Sequence, residues 1–213
     1  MPFASLGLDA SILKAVADQG YTEPTPIQKA AIPAVIEGID VIGIAQTGTG
    51  KTAAFTLPLL TRLLRTANNT HKGRVRCLIL APTRELVVQI AENVAAYSRY
   101  SGAVVATCYG GVSERPQIAA LRRGCDFLVA TPGRLLDLGS QGHGDFSAVE
   151  CLVLDEADRM LDMGFLPAIN TIVRALPPER QTLMFSATLS REIETLTKQY
   201  QRSPKLIEVG RRA

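Results

Sequence analysis

The sequence is poor in metal-binding side chains. It has two histidines, His71 and His143, and four cysteines, Cys77, Cys108, Cys125 and Cys151, with no C-x-x-C pair among them. A structural zinc ion needs four closely spaced nitrogen or sulfur ligands, so no zinc site is expected. Three of the cysteines lie in or beside apolar runs, as reduced core thiols of a cytosolic protein do. Neither sign of charge dominates. The 23 basic and 20 acidic side chains leave a net charge of +3, which argues against a broad basic field for nucleic acid. Any basic surface has to come from placement. The 17 glycines and 12 prolines in 213 residues are too few for a collagen-like or low-complexity chain. No basic segment followed by an apolar one opens the chain, so no signal peptide is visible. The stretch 41–61 carries Lys51 as its only charge and has the length of a membrane span. Its middle is polar and glycine-rich, unsuited to hydrocarbon, so a cytoplasmic protein without a membrane segment is expected.

What is present is an apolar content of 46%, enough for one domain-sized core. Short apolar runs occupy 41–45, 77–81, 104–109, 127–130, 151–154, 183–185 and 206–209. They are continuous instead of alternating, as strands covered on both faces are. Stretches of helical length separate them. In 84–100, Leu86, Ile90, Val94 and Tyr97 recur at four-four-three spacing, which predicts a helix with one buried stripe. Gly20 and Gly38 stand where helix-terminating glycines belong. The alternation predicts an α/β fold, a three-layer arrangement with a mainly parallel central sheet flanked by helices on both faces. The segment 67–73 reads as a polar surface loop, and the basic stretch 201–213 as a domain exit.

A parallel sheet gathers the carboxyl ends of its strands on one edge, where ligands bind. Six runs end there in polar or glycine-rich clusters. The first ends in Gln46, Thr47, Gly48, Thr49, Gly50, Lys51 and Thr52, a P-loop pattern in which Ala45 replaces the leading glycine. Its glycines let backbone N–H groups surround phosphate oxygens, and the following helix adds its positive end. Lys51 would reach the β- and γ-phosphates, and the Thr52 hydroxyl would ligate Mg²⁺. The alternative is a glycine-rich turn with a solvent-facing lysine. The run 151–154 ends in Asp155-Glu156, the arrangement in which a strand-end aspartate holds Mg²⁺ and an adjacent glutamate acts as general base. A solvated acidic helix start is the alternative.

With both nucleotide motifs in place, the remaining clusters give a family resemblance over essentially the whole chain. The sequence resembles the first RecA-like lobe of DEAD-box ATP-dependent RNA helicases, most of all the bacterial RhlE-type branch. The resemblance rests on seven motifs in the family's order: Gly20-Tyr21-Thr22-Glu23-Pro24-Thr25-Pro26-Ile27-Gln28 with Phe3 upstream, the P-loop, Pro82-Thr83-Arg84-Glu85-Leu86-Val87-Val88-Gln89, Gly110-Gly111, Thr131-Pro132-Gly133-Arg134, Asp155-Glu156-Ala157-Asp158 and Ser186-Ala187-Thr188. It implies that 1–38 is a Q-motif region with N-terminal helices and 39–213 the ATP-binding lobe, together one structural domain. ATP and Mg²⁺ follow as cofactors. Gln28 would read the adenine edge, Tyr21 would stack on the base and Glu23 would sit beside it. By residue type alone, Gln28 suits a helix surface, and Tyr21 and Phe3 a core.

The resemblance also implies that Pro82, Thr83, Arg84, Gly110, Gly111, Thr131, Pro132, Gly133 and Arg134 hold single-stranded or short duplex RNA by its backbone. Glycines and helix starts do present donors to phosphates. Taken alone, the 131–134 cluster would also suit a tight turn. Asp158, Ser186 and Thr188 would couple nucleotide state to RNA, although hydroxyls there also suit a helix N-cap. No second strand series and no His-Arg-x-Gly-Arg-x-x-Arg run follows Thr188. The chain is therefore expected to be a monomeric fragment without the family's second RecA-like lobe. Such a piece binds nucleotide yet hydrolyses it poorly, since an arginine finger is typically worth about 10³–10⁵ in rate. An ATP-gated RNA clamp without turnover is the rival reading. A DNA translocase is disfavoured by the Q motif and Asp-Glu-Ala-Asp.

Overall fold

The computed structural model describes residues 1–66 and 72–210, so the predicted loop 67–73 lies largely outside the described residues. After a 3-10 turn at Phe3–Ser5 come α1 (Ala10–Asp18), α2 (Pro26–Ile36), β1 (Val41–Ile44), α3 (Lys51–Arg65), β2 (Val75–Leu80), α4 (Arg84–Tyr97), β3 (Val105–Cys108), α5 (Arg115–Arg123) and β4 (Cys125–Ala130). The chain continues with α6 (Pro132–Ser140), β5 (Cys151–Leu154), α7 (Ala157–Asp162), α8 (Leu166–Arg174), β6 (Gln181–Ser186), α9 (Arg191–Tyr200) and β7 (Lys205–Glu208). The strands form one sheet in the order β3-β4-β2-β5-β6-β1-β7, and every pairing is parallel. All seven predicted runs are strands.

The continuous runs are apolar because both faces of the sheet are covered. Cys77, Ile79, Cys151, Val153, Leu183 and Phe185 face a core closed by α1 to α4. Leu78, Leu80, Leu152, Leu154 and Met184 face a second core closed by α6, α7, α8 and α9. The stretch of membrane-span length is β1 and α3 at the centre of the first core, where Phe55, Leu57, Leu59 and Leu60 have no exposed surface. No helix among the described residues is long and apolar enough to cross a membrane. All four cysteines are buried, and burial pushes the Cys108 and Cys125 thiols up to about 12, which keeps them protonated and unreactive.

Gly20 and Gly38 do terminate α1 and α2, each at positive φ (75° and 85°), with the next N–H closing back onto Val16 and Ala34. α4 stops three residues before the predicted end, at Tyr97, where Ser98 donates its N–H to Val94. The basic stretch from Gln201 is more than an exit. Gln201 is buried and donates to the carbonyls of Val41 and Thr182, each at 2.9 Å, while 205–208 pairs with β1 as the edge strand. Asp40 accepts from the N–H groups of Thr182 and Arg202. These buried polar contacts lock β1, β6 and β7 in register at the end of the sheet opposite the site.

The two cores leave no room at Gly43. A Cβ there would lie 2.5 Å from Cδ1 of Phe185, whose ring is buried against Phe55 at 5.1 Å. Gly43→Ala is expected to destabilise the protein by about 1–3 kcal/mol in urea unfolding. Gly139→Ala, at an exposed helical position with nothing within 4 Å, is expected to be neutral or stabilising by up to about 1 kcal/mol.

Candidate functional site

β1 runs into Ala45, whose N–H donates to the Ser186 carbonyl, and the chain then wraps through 46–50 into α3. The wrap depends on Gly48 and Gly50, at φ 86° and 83°. Gly50 is the N-cap of α3, so Lys51 and Thr52 occupy the first helical turn. Lys51 does not face solvent. It is 8% exposed, and its Nζ lies 3.2 Å from Oδ1 of Asp155 and 4.0 Å from Oε1 of Glu156.

Asp155 is fully buried at the end of β5, which overturns the solvated-helix-start alternative. Its Oδ1 also accepts the N–H of Glu156 at 2.9 Å, while Oδ2 is buried without a partner among the described residues. Burial pushes its carboxyl above the ordinary aspartate range, and the adjacent Lys51 ammonium pulls the other way. A buried carboxylate oxygen with no donor is costly, and it suits a cation-binding position; Thr52 follows Lys51 in the first turn of α3 and lines the adjoining cleft. Glu156 sits at the N-cap of α7 with φ 50°, ψ 51°, a left-handed conformation uncommon for a glutamate. The elbow places one acid at the strand end and the next beside Lys51.

The base-side residues surround a cleft of about 540 Å³ that also takes in Lys51, Thr52 and Glu156. Gln28 is not a surface residue. It is 4% exposed and completes a capping box with Thr25: its Oε1 accepts the Thr25 N–H at 2.9 Å. Its Nε2 donates to the Gly50 carbonyl at 3.1 Å, so the amide latches α2 to the P-loop. Phe3 is buried in the first core, whereas Tyr21 is 40% exposed beside Glu23 in the cleft wall. Three wall residues were not foreseen: Gln89, Asn93 and Tyr97 of α4. They recur every four residues, and Tyr97 belongs to the predicted core stripe as well, so spacing gave its burial but not its place in the cleft wall.

The predicted RNA residues lie at the ends of β2, β3 and β4, which are neighbours in the sheet. Thr83 caps α4, its side chain accepting the Leu86 N–H. Thr131 is the N-cap of α6 with Pro132 in its first turn, so this cluster opens a helix and is no tight turn. Arg84 is exposed, with its guanidinium 5.3 Å from the Tyr109 ring and beside Gly111. A Cβ at Gly110 would meet nothing within 4 Å, and Gly133 is exposed. Arg134 turns inward. It donates to the Val112 carbonyl and to Oε1 of Gln117, each at 3.2 Å, so in this conformation it tethers the glycine loop. Of the residues expected to couple the two sites, Thr188 donates to Oδ2 of Asp158 at 3.3 Å, and the buried Ser186 hydroxyl has no partner among the described residues. Neither Ser186 nor Thr188 caps a helix; Ser190 does, accepting the Ile193 N–H at the start of α9.

This geometry can be set beside known proteins. The DEAD/DEAH box helicase family matches residues 25–196. An ATP-dependent RNA helicase RhlB from Pseudomonas aeruginosa is 48% identical over 97% of this chain and 53% of its own length. DEAD-box ATP-dependent RNA helicase 30 from Arabidopsis thaliana is 48% identical over 98% of this chain and 35% of its own length. The crystal structure of a DEAD box protein from the hyperthermophile Methanococcus jannaschii superposes with a TM-score of 0.90 at 34% identity, covering 99% of this chain and 56% of that one. The chain thus spans about half the length of the RhlB relative. With the family model matching residues 25–196 and the RecA-like sheet superposing on that DEAD box protein, the chain belongs to the DEAD/DEAH box helicase family.

Proposed function

We propose that this chain is the ATP- and RNA-binding lobe of an ATP-dependent RNA helicase, in which RNA-dependent ATP hydrolysis drives local duplex separation together with a second RecA-like lobe. The observation that carries the reading is the buried pair of Lys51 and Asp155 at the mouth of the P-loop, with one carboxylate oxygen bonded and the other free to take a metal ion. In this reading the N–H groups of 46–50 and the α3 N-terminus hold the phosphates. Lys51 leaves Asp155 to meet the β- and γ-phosphates. Asp155 and Thr52 would hold Mg²⁺, which when bound neutralises charge on the phosphate oxygens. Glu156 orients and deprotonates the attacking water. Gln28 must exchange its bonds to Thr25 and Gly50 to read adenine, which ties base recognition to P-loop shape. Tyr21 stacks on the base, with Glu23 beside it.

RNA would run over the ends of β2, β3 and β4, with Pro82, Thr83, Arg84, Gly110, Gly111, Thr131, Pro132 and Gly133 meeting its backbone and Arg134 holding the glycine loop. The bond from Thr188 to Asp158 supports a coupling role for Asp158, Ser186 and Thr188. The RhlB relative is about twice as long as this chain, and we assign the transition-state cation to that further half. A monomeric state, a cytoplasmic location and the RhlE-type branch belong to the same proposal, the branch resting on the sequence resemblance.

The test is ATP hydrolysis with and without single-stranded RNA, using Glu156→Gln as the blank. This chain is expected to bind adenine nucleotide with negligible turnover. Robust RNA-stimulated turnover would show that it carries its own transition-state cation. Lys51→Ala is expected to weaken triphosphate binding by about tenfold to a hundredfold, the worth of a charge-assisted contact, in titration calorimetry. Gln28→Ala should erode the preference for ADP over GDP more than it weakens tripolyphosphate binding; equal losses would remove Gln28 from base recognition.

A further inference from the structure

The wall of the cleft formed by α4 contains a buried tyrosine that the proposed mechanism does not use. Tyr97 is 2% exposed and closes the stripe that begins at Gln89. Its ring belongs to the first core, packed among residues of α1, α3 and α4. Its hydroxyl lies 3.1 Å from the hydroxyl of Tyr21, the one hydrogen-bond partner it has among the described residues. The two rings meet at 61° with centroids 6.2 Å apart, so they form no parallel stack. Burial and this contact push the Tyr97 phenol above the ordinary tyrosine range, so it stays protonated and bonds as a neutral group.

The chemistry is asymmetric. Breaking the contact would leave the hydroxyl of the buried Tyr97 without a partner, whereas that of the exposed Tyr21 could turn to water. Tyr21 lies in the segment between α1 and α2 and is 40% exposed. Its backbone is held where its N–H closes α1 onto Val16, and its side chain is held at the far end by Tyr97. A tyrosine fixed at both ends has already lost the side-chain freedom that stacking on a base would otherwise cost.

We propose that Tyr97 is a positioning residue for nucleobase recognition: its hydroxyl pre-orients Tyr21 for stacking, and so makes α4 part of the base site. The inference rests on the reading of the cleft as an adenine-nucleotide site. It adds a structural link, because α4 begins at Arg84 on the RNA side of the sheet edge and ends at Tyr97 on the base side.

The test uses ADP, GDP and inorganic tripolyphosphate as probes, titrated calorimetrically in the presence of Mg²⁺ against the wild-type chain and the variants Tyr97→Phe, Tyr21→Phe and the double substitution. Both single variants keep their rings and lose only the shared hydrogen bond. Each is expected to weaken ADP binding by about two- to tenfold, the worth of one pre-ordered side chain, and to leave tripolyphosphate binding unchanged. The double variant should be no weaker than either single one. Unchanged ADP binding by Tyr97→Phe would overturn the proposal. So would an equal loss for tripolyphosphate, which is the signature of general damage, or additive losses in the double variant. A wild-type chain that binds none of the three probes would instead refute the nucleotide site itself.

Discussion

Everything at the carboxyl edge of this sheet is arranged around two charges that would not ordinarily be buried. Lys51 and Asp155 come from the first turn of α3 and the end of β5, two elements with no sequence proximity, and meet at 3.2 Å with almost no solvent. Taking a carboxylate and an ammonium out of water costs several kcal/mol each, and their attraction offsets this only if the remaining lone pairs are also satisfied. Here they are not: Oδ2 of Asp155 has no donor. A pair built purely for stability would not leave that oxygen bare. The folded core tolerates it because β5 is hydrogen-bonded on both sides, by β2 and β6, and cannot relax to hide it.

The strand order then divides the edge into two territories. β1, β5 and β6 carry the P-loop, the acids and Ser186, while β2, β3 and β4 carry the threonine-, glycine- and arginine-bearing ends. The boundary falls between β5 and β2. Three contacts span the nucleotide half or its border. Gln28 ties α2 to Gly50, Thr188 ties the segment after β6 to Asp158, and Tyr97 ties α4 to Tyr21. Each joins a motif residue to an element that starts or ends elsewhere on the edge through a hydrogen bond of known partners. Whether such contacts transmit a signal depends on their having two arrangements. If Gln28 reads a base edge as proposed, it has two such arrangements, since its amide cannot also keep its present bonds to Thr25 and Gly50.

Much of this was legible from residue order. Apolar runs flanked by turn chemistry gave all seven strands, and Gly20 and Gly38 marked two helix ends, because strand burial and helix termination are local demands on residue type. The glycines of the P-loop and the acids after β5 were legible for a similar reason: phosphate and cation chemistry restricts which residues can stand there. What could not be read is where a side chain spends its hydrogen bonds. Arg134 looks identical in sequence whether it faces a phosphate or the Val112 carbonyl. Ser186, Thr188 and Ser190 are three hydroxyls within five residues, and only the register of α9 decides that the last one caps it. Tyr97 scored as core, correctly, yet the periodicity that buries its ring says nothing of the hydroxyl at its tip. The end of α4 was misplaced because the apolar stripe stops at Tyr97 and says nothing of 98–100, where Tyr100 bonds Asp18 and lies under Lys14 of α1.

Two of the buried polar atoms that lack a partner among the described residues lie together at the site. Oδ2 of Asp155 and the Ser186 hydroxyl lie at the ends of adjacent strands, and Glu156 holds a left-handed backbone between them and α7. Each feature costs free energy of order 1–3 kcal/mol in isolation. At the far end of the sheet Asp40, Gln181 and Gln201 spend hydrogen bonds on the backbone, although Oε1 of Gln201 and Nε of Arg76 are also buried without a partner among the described residues. What sets the carboxyl edge apart is the company its unpartnered oxygens keep: Asp155 stands beside Lys51 and the left-handed Glu156 at the mouth of the P-loop. A ligand that supplies positive charge to Asp155 and an acceptor to Ser186 gains affinity from relieving those costs, without any need to reshape the core beneath.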